Sequence, residues 1–324
     1  MLDSIVLSHR KDADGICSAA LIRSFSGAKV HLADYGEMVA TISKIEPASD
    51  IYICDLGLNR TIFDAFESDL QRLLKTGKVH YVDHHPINED FANRLRSIGV
   101  DLYHSTEESA AMLVYKKYQE KLSGNAKILA CCGAITDYLD ERPLAKKLIS
   151  TFDRQFLLYE ATVLSFAVAI IGRQGVSGVP RLIEIVHALS KGKLPHQIEG
   201  ASAFAKEFAS QSALLIEKVR LEGTKMKNFA YFRTSESATG NIANFLIGAF
   251  DVPVGIAFRS EDPGFLEVSA RGSEEFGGDL GRIIGGIATS MGTSGGGHPR
   301  AAGARIPEDQ FQNFLREFEI SLSE

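Results

Sequence analysis

Three short apolar runs near the start of the chain each end in residue types that do not belong in a core. Ile5-Val6-Leu7 runs into Ser8-His9, then Asp12 and Asp14. Ile51-Tyr52-Ile53-Cys54 runs into Asp55, and Val79-His80-Tyr81-Val82 runs into Asp83-His84-His85-Pro86. A strand that ends in carboxylates and imidazoles packs poorly and is a good place to hold a metal ion. In open α/β sheets, ligands bind outside the carboxyl ends of the strands.

The stretches between these runs have helical character. β-rich segments at Ser4–Leu7, Lys29–Leu32, Ile51–Cys54, Lys78–Val82 and Val100–Tyr103 alternate with helical segments at Gly15–Phe25, Glu37–Ile45, Thr61–Lys75 and Glu89–Ile98. Such alternation predicts βαβ units and a parallel sheet. From Glu107 to about Ser190 the pattern is helical. Ala110, Leu113, Val114 and Tyr118 fall at helical spacing, as do Leu157, Ala161, Leu164, Val168 and Ile171; these helices are expected to cover the sheet. Gly192 and Pro195 mark a break, followed by a polar helix over about His196–Arg220 that reads as a connector. Strand signals return at Phe229–Arg233, Val252–Arg259 and Phe265–Arg271, with helices at Gly240–Phe250, Gly278–Met291 and Pro307–Ser323. The expected class is α/β: an N-terminal parallel-sheet domain over 1–192, a helical linker over 193–221, and a smaller α+β domain over 222–324.

Composition sets outer limits. The chain has 324 residues, 45% hydrophobic and 23% charged, which is ordinary for a globular protein of two domains. Cys17, Cys54, Cys131 and Cys132 show no CxxC spacing, so a reduced, cytoplasmic setting is expected. No signal peptide is expected, because Asp3, Arg10 and Lys11 precede any apolar core. The most apolar stretch, Ala161–Gly172, reads as too short to span a bilayer, so no membrane partner is expected. A net charge of −6 provides no global attraction for nucleic acid. An anionic substrate would need local positive charge or bound cations.

His9, Asp12, Asp14, Asp55 and His84, with Asp137 after the apolar run Ala130–Thr136, give two histidines and four carboxylates. Taken singly, several have plain readings: Asp137 as a helix end, Asp55-Leu56-Gly57 as a strand-end turn. As a set they suit Mn²⁺ or Mg²⁺ better than a thiolate zinc site. They are too many for one ion with an open position and suit two ions sharing a bridging carboxylate, the arrangement that clamps a phosphoryl group. A second cluster lies late in the chain. Leu266–Ser273 alternates like a strand and carries Arg271, whose fork can grip a phosphate. Gly295-Gly296-Gly297-His298-Pro299-Arg300 reads as a loop whose glycines let backbone amides approach an anion.

In order, His9-x-x-Asp12-x-Asp14-Gly15, Asp55, Asp83-His84-His85 and Asp137 resemble the four motifs of the DHH phosphoesterase superfamily. Ser269-x-Arg271 and Gly295-Gly296-Gly297-His298-x-x-Ala301-Ala302-Gly303 resemble its DHH-associated C-terminal substrate-binding domain. The resemblance implies two Mn²⁺ ions, with Mg²⁺ as the alternative. His9 and Asp12 would bind one, Asp14, His84 and Asp137 the other, and Asp55 both. Asp83 would orient the histidines, and His85 would face the phosphate or leaving oxygen. A hydroxide held between the ions would be the nucleophile. Arg271, Gly296, Gly297 and His298 would hold substrate across a cleft between the domains.

Within the superfamily, Asp12-Ala13-Asp14-Gly15-Ile16-x-Ser18-Ala19 is closer to the RecJ-like nucleases than to the nanoRNases, which show proline where Lys11 stands. The length leaves no room for the oligonucleotide-binding-fold domain of bacterial RecJ and resembles the compact archaeal RecJ-like and helicase-associated DHH nucleases. The implied activity is a Mn²⁺-dependent exonuclease that releases mononucleotides from single-stranded DNA or RNA in repair. The alternative is a nanoRNase acting on short oligonucleotides, or a 3′-phosphoadenosine 5′-phosphate phosphatase. A helicase or replisome protein is an expected partner. A purely non-catalytic repair scaffold is disfavoured because all six metal-ligand types are present.

Overall fold

The computed structural model describes residues 3–236, 238–261 and 263–323. The chain divides into two compact units, Met1–Ala209 and Ser210–Glu324. The first begins with five strands alternating with four helices: β1 (Ile5–His9), α1 (Ala13–Ser26), β2 (Lys29–Ala33), α2 (Met38–Ile42), β3 (Asp50–Cys54), α3 (Arg60–Leu74), β4 (Lys78–Asp83), α4 (Glu89–Ser97) and β5 (Asp101–His104). Helices follow: α5 (Ala110–Tyr118), α6 (Ala126–Thr136), α7 (Pro143–Ile149), α8 (Arg154–Gly172), α9 (Val179–Ser190) and α10 (Ala201–Glu222). The last of these runs through the boundary between the units.

The sheet order is β2-β1-β3-β4-β5, and every pairing is parallel. Each of the two faces has its own core. Val6, Val30, Leu32, Tyr52, Cys54 and Val82 pack against α1, α5, α6, α8 and α9. Ile5, Leu7, Ile51, Ile53, Val79 and Tyr81 pack on the other face with α2 and α3. Burial on both faces explains why the strands read as continuous apolar runs rather than alternating ones. Register pairs Ser8 with Cys54 and Cys54 with Val82. One step further along, His9, Asp55 and Asp83 come side by side at the carboxyl edge.

Two details differ from expectation. The segment expected as a helix over Glu37–Ile45 is a 3₁₀ turn at Tyr35–Glu37 followed by the one-turn α2. And α8 is longer than the apolar stretch Ala161–Gly172 suggests. At 19 residues it is long and apolar enough to cross a membrane by length and composition. Its apolarity serves the core: Leu157, Ala161, Leu164, Ala167, Val168 and Ile171 are buried against the sheet-covering helices.

The second unit contains β6 (Thr224–Lys225), β7 (Phe229–Arg233), α11 (Thr239–Phe250), β8 (Val254–Ser260), β9 (Phe265–Gly272), α12 (Leu280–Ser290), β10 (Gly295–His298), β11 (Ala301–Pro307) and α13 (Phe311–Ser321). The sheet order is β10-β11-β9-β8-β7-β6, with β7–β8 parallel and the rest antiparallel. Val254, Ile256, Phe258, Leu266, Val268 and Ala270 meet α12 and α13 on one face. Ala230, Phe232 and Ala257 meet α11 on the other.

The glycine-rich loop expected at Gly295–His298 is instead an edge strand, hairpinned to β11 through Pro299-Arg300. Glycine is needed there for packing. Gly296 and Gly297 have φ of 148° and 147°, and a Cβ at Gly281 of α12 would overlap the Gly297 carbonyl. Helix and edge strand touch backbone to backbone. The helix expected from Pro307 begins only at Phe311, because β11 extends through Pro307.

The contact between α11 and β8 is as close. A Cβ on Gly255 would overlap the Ala243 carbonyl and stand 3.0 Å from Cβ of Leu246. Gly255→Ala is therefore expected to destabilise the second unit by about 1–3 kcal/mol through overpacking, even though alanine suits a strand better than glycine. Urea denaturation followed by circular dichroism checks this.

Candidate metal centre

Three strand ends and two helix ends supply the site. His9 is the last residue of β1, Asp55 follows β3, Asp83 ends β4, and His84-His85 follow it. Asp12 is the N-cap of α1 and accepts from the Gly15 amide at 2.9 Å. Gly15 has a packing role as well, since a Cβ there would overlap the His9 carbonyl. Asp14 lies in the first turn of α1. Asp137 is the C-cap of α6.

Side-chain distances join these residues. His9 Nδ1 lies 2.8 Å from Asp12 Oδ2 and 3.8 Å from Asp55 Oδ2. His84 Nε2 lies 3.3 Å from Asp55 Oδ1 and 3.4 Å from Asp137 Oδ2. The two oxygens of Asp55 thus face different partners, one towards His9 and one towards His84. Donor atoms gather within 4.8 Å of one another in the groups His9/Asp12/Asp55, Asp14/His84/Asp137 and Asp55/His84/His85. All six expected ligands are brought together, and Asp55 occupies the position a shared ligand needs. Its backbone is held at φ 57°, the left-handed region that non-glycine residues avoid. Such strain persists where surrounding structure enforces it.

The electrostatics call for positive charge. Burial, then the neighbouring carboxylates, push Asp14 and Asp55 well above the ordinary carboxylate range. Burial, then Asp12, pushes Asp137 up to about 6. Burial, then the adjacent His85, pushes His84 down to about 4, leaving its imidazole neutral and able to coordinate. Oδ2 of Asp55 and Nε2 of His9 are buried without a hydrogen-bond partner among the described residues. Oxygen and imidazole donors, crowded charge and orphaned buried atoms together fit hard divalent cations.

Asp83 and His85 form a hydrogen-bonded pair beside the six. Asp83, buried, holds the His85 ring through Oδ1 to Nδ1 at 2.9 Å and accepts from the His85 amide at 3.2 Å. Burial alone would lower the His85 pKa, but the hydrogen bond and charge of Asp83 outweigh it and raise it. Nε2 of His85 meets the hydroxyl of Tyr35 at 2.7 Å. His85 Nδ1 is also 4.0 Å from Asp55 Oδ1. Gly57 leaves room for this ring, since a Cβ there would stand 2.9 Å from Cβ of His85.

Sequence reasoning missed Asp34 and Tyr35. Asp34 Oδ1 is 3.5 Å from His9 Nε2, where a carboxylate can orient a coordinating imidazole, and Lys11 pairs with Asp34. The Tyr35 ring lies 4.6 Å from that of His9. The signal was available: Asp34-Tyr35 follows β2, a fourth strand end on the same edge.

In the second unit, register aligns Arg271, Ala301 and His298 across β9, β11 and β10. Ser269, Gly303 and Gly296 form the next row on that face. Ser269, Gly296 and Gly303 line a shallow groove of about 620 Å³ together with the charged side chains of Glu261, Glu267 and Arg305. Arg271 packs against Gly240 and donates to the Ala270 carbonyl at 2.9 Å. Gly297 falls on the opposite, α12-facing row with Ala302 and Ala270, so it shapes the strand rather than the groove.

Asp14 is tied to the fold beyond its own helix. Its two oxygens accept from the amides of Ala110 and Ala111, at 2.7 and 3.0 Å, at the start of α5. A Cβ on Gly133 of α6 would overlap Asp14 Oδ1 and stand 2.7 Å from Cβ of Ala111. Gly133→Ala favours α6 by helix propensity. It is nevertheless expected to weaken Mn²⁺ binding about 10–100-fold, the usual effect of disturbing a ligand's supports, as read by isothermal titration calorimetry.

Comparison with known proteins accords with this architecture. Residues 223–324 match the DHHA1 domain family. No curated protein matches the chain. Among solved structures it is similar to the pGpG-specific phosphodiesterase PggH from Vibrio cholerae, at TM-score 0.63 and 14% identity over 98% of this chain and 99% of that one. It is similar to RecJ in complex with Mn²⁺ from Thermus thermophilus, at TM-score 0.65 and 16% identity over 99% of this chain and 52% of that one. The DHH domain of a protein described as a member of a ribosomal-protein family aligns at TM-score 0.68 and 16% identity, over 99% of this chain and 86% of that one. RecJ from the same Thermus has also been solved with Mg²⁺. The chain has the fold of the DHH phosphoesterases, with a DHHA1 domain at its C-terminus.

Proposed function

We propose that the protein is a metal-dependent phosphodiesterase that removes mononucleotides from the ends of single-stranded DNA or RNA. The observation that carries this reading is the position of Asp55, whose two oxygens face His9 on one side and His84 on the other. When bound, two Mn²⁺ or Mg²⁺ ions supply the positive charge and Lewis acidity that phosphoryl transfer to water requires. His9 and Asp12 would hold one ion, Asp14, His84 and Asp137 the other, and Asp55 would serve both. The neutral His84 imidazole presents a lone pair, and the α5 amides fix the Asp14 carboxylate. Asp83 and Tyr35 orient His85, which would give a proton to the departing oxygen. Arg271 and His298 supply the donors for a substrate phosphate or terminal nucleotide on the second unit.

A second reading, hydrolysis of dinucleotides or short oligonucleotides, draws on a specific observation. PggH aligns with this chain from end to end, whereas only about half of RecJ does. End-labelled long single strands and dinucleotides, digested with Mn²⁺ and with chelator, separate the two. Stepwise shortening of the long strand is expected, and cleavage of dinucleotides alone overturns the first reading. Asp55→Ala is expected to abolish hydrolysis, so substantial residual activity would reject its shared role. His85→Ala is expected to lower kcat about 10²–10⁴-fold as a lost acid–base group does, with both Mn²⁺ still bound by calorimetry.

A further inference from the structure

One aromatic side chain beside the metal centre is held out by the backbone at a conformational cost. Helix α6 ends in a Schellman motif: the Leu139 amide donates to the Ala134 carbonyl at 2.8 Å, and the Tyr138 amide to that of Ile135 at 3.3 Å. The residue at the left-handed position of this motif is usually glycine. Here it is Tyr138, at φ 56°. Tyrosine has neither the freedom of glycine nor the short polar side chain that lets Asn or Asp visit this region.

The fold gains nothing visible from the ring. Tyr138 is 87% exposed, the highest value among the large exposed hydrophobic residues of the described chain segments. No ring contact or side-chain hydrogen bond engages it among the described residues. A strained residue that packs against nothing is placed for something outside the chain. Its backbone neighbour is Asp137, whose Oδ2 lies 3.4 Å from His84 Nε2, so Tyr138 directly follows a candidate metal ligand in the chain.

We propose that Tyr138 is the stacking platform for the nucleobase of the nucleotide held at the metal centre. Stacking suits an exposed aromatic next to a phosphate site, because every base presents a π-face. The inference rests on the proposed function and assigns it a recognition element: the substrate must carry a base at that position, and the identity of the base matters little.

The test uses the Mn²⁺-loaded full chain, with adenosine 5′-monophosphate and ribose 5-phosphate as probes. Tyr138→Gly is expected to melt at or above the wild-type temperature and to bind Mn²⁺ with unchanged stoichiometry. Its affinity for adenosine 5′-monophosphate is expected to fall about tenfold, the scale of one lost base stack, while that for ribose 5-phosphate stays the same. The chain contains no tryptophan, so Tyr138→Trp introduces a single reporter. Its fluorescence is expected to be quenched by adenosine 5′-monophosphate and not by ribose 5-phosphate. A lower melting temperature for Tyr138→Gly would make the ring structural and overturn the proposal. Equal affinities for adenosine 5′-monophosphate, equal quenching by both probes, or no binding of adenosine 5′-monophosphate by the wild type would also overturn it. If the wild type hydrolyses no phosphodiester, the proposed function falls, and the binding measurements still decide the role of Tyr138.

Discussion

Charge repulsion sets the terms for the first unit. Asp12, Asp14, Asp55 and Asp137 converge on two imidazoles at one edge of a sheet, and two of the four carboxylates are almost wholly buried. A chain would not gather anions there for stability alone, because a buried carboxylate without a partner costs several kcal/mol or shifts its pKa. The surrounding structure compensates in part. A helix N-terminus captures each of two carboxylates, Asp12 at α1 and Asp14 at α5. Helix N-termini carry partial positive charge and unsatisfied amides, so they are natural holders of anions. The remaining excess of negative charge is what divalent cations would neutralise.

The parallel sheet makes this convergence cheap in sequence. Because β1, β3 and β4 run the same way in register, His9, Asp55 and Asp83 at the ends of the three runs arrive in one row. That is why the strand ends were legible: an apolar run broken abruptly by His or Asp is visible without any coordinates. The Asp34-Tyr35 pair was overlooked because it falls between the run read at Lys29–Leu32 and the helix read from Glu37, a stretch that was given no role. Its importance comes from distances to His9 and His85, which only the assembled sheet provides.

The second unit was less legible, for a different reason. Gly295-Gly296-Gly297 has no side chains and so carries no periodic signal, and a loop is the ordinary reading of such a run. Pairing with β11 and contact with α12 turn it into a strand, and neither partner is local in sequence. Arg271 was identifiable from its place at the end of an alternating run. That its row continues through Ala301 to His298 follows from register alone. The connector reading of α10 was similarly limited: its apolar residues do not show where one unit stops and the next begins.

The row Arg271–Ala301–His298 has a metric consequence. Neighbouring strands lie about 4.8 Å apart, so residues at the ends of a three-strand row start about 10 Å apart. That distance is too long for both to clasp one small anion from their backbones. It is close to the span of a nucleotide from phosphate to base. Under the proposed function, in which Arg271 and His298 hold the substrate, the face would work as a gauge with two marks, and alanine at the middle position would leave the interval open. A bulky residue at Ala301 would divide the gauge into two unrelated points while leaving Arg271 and His298 in place.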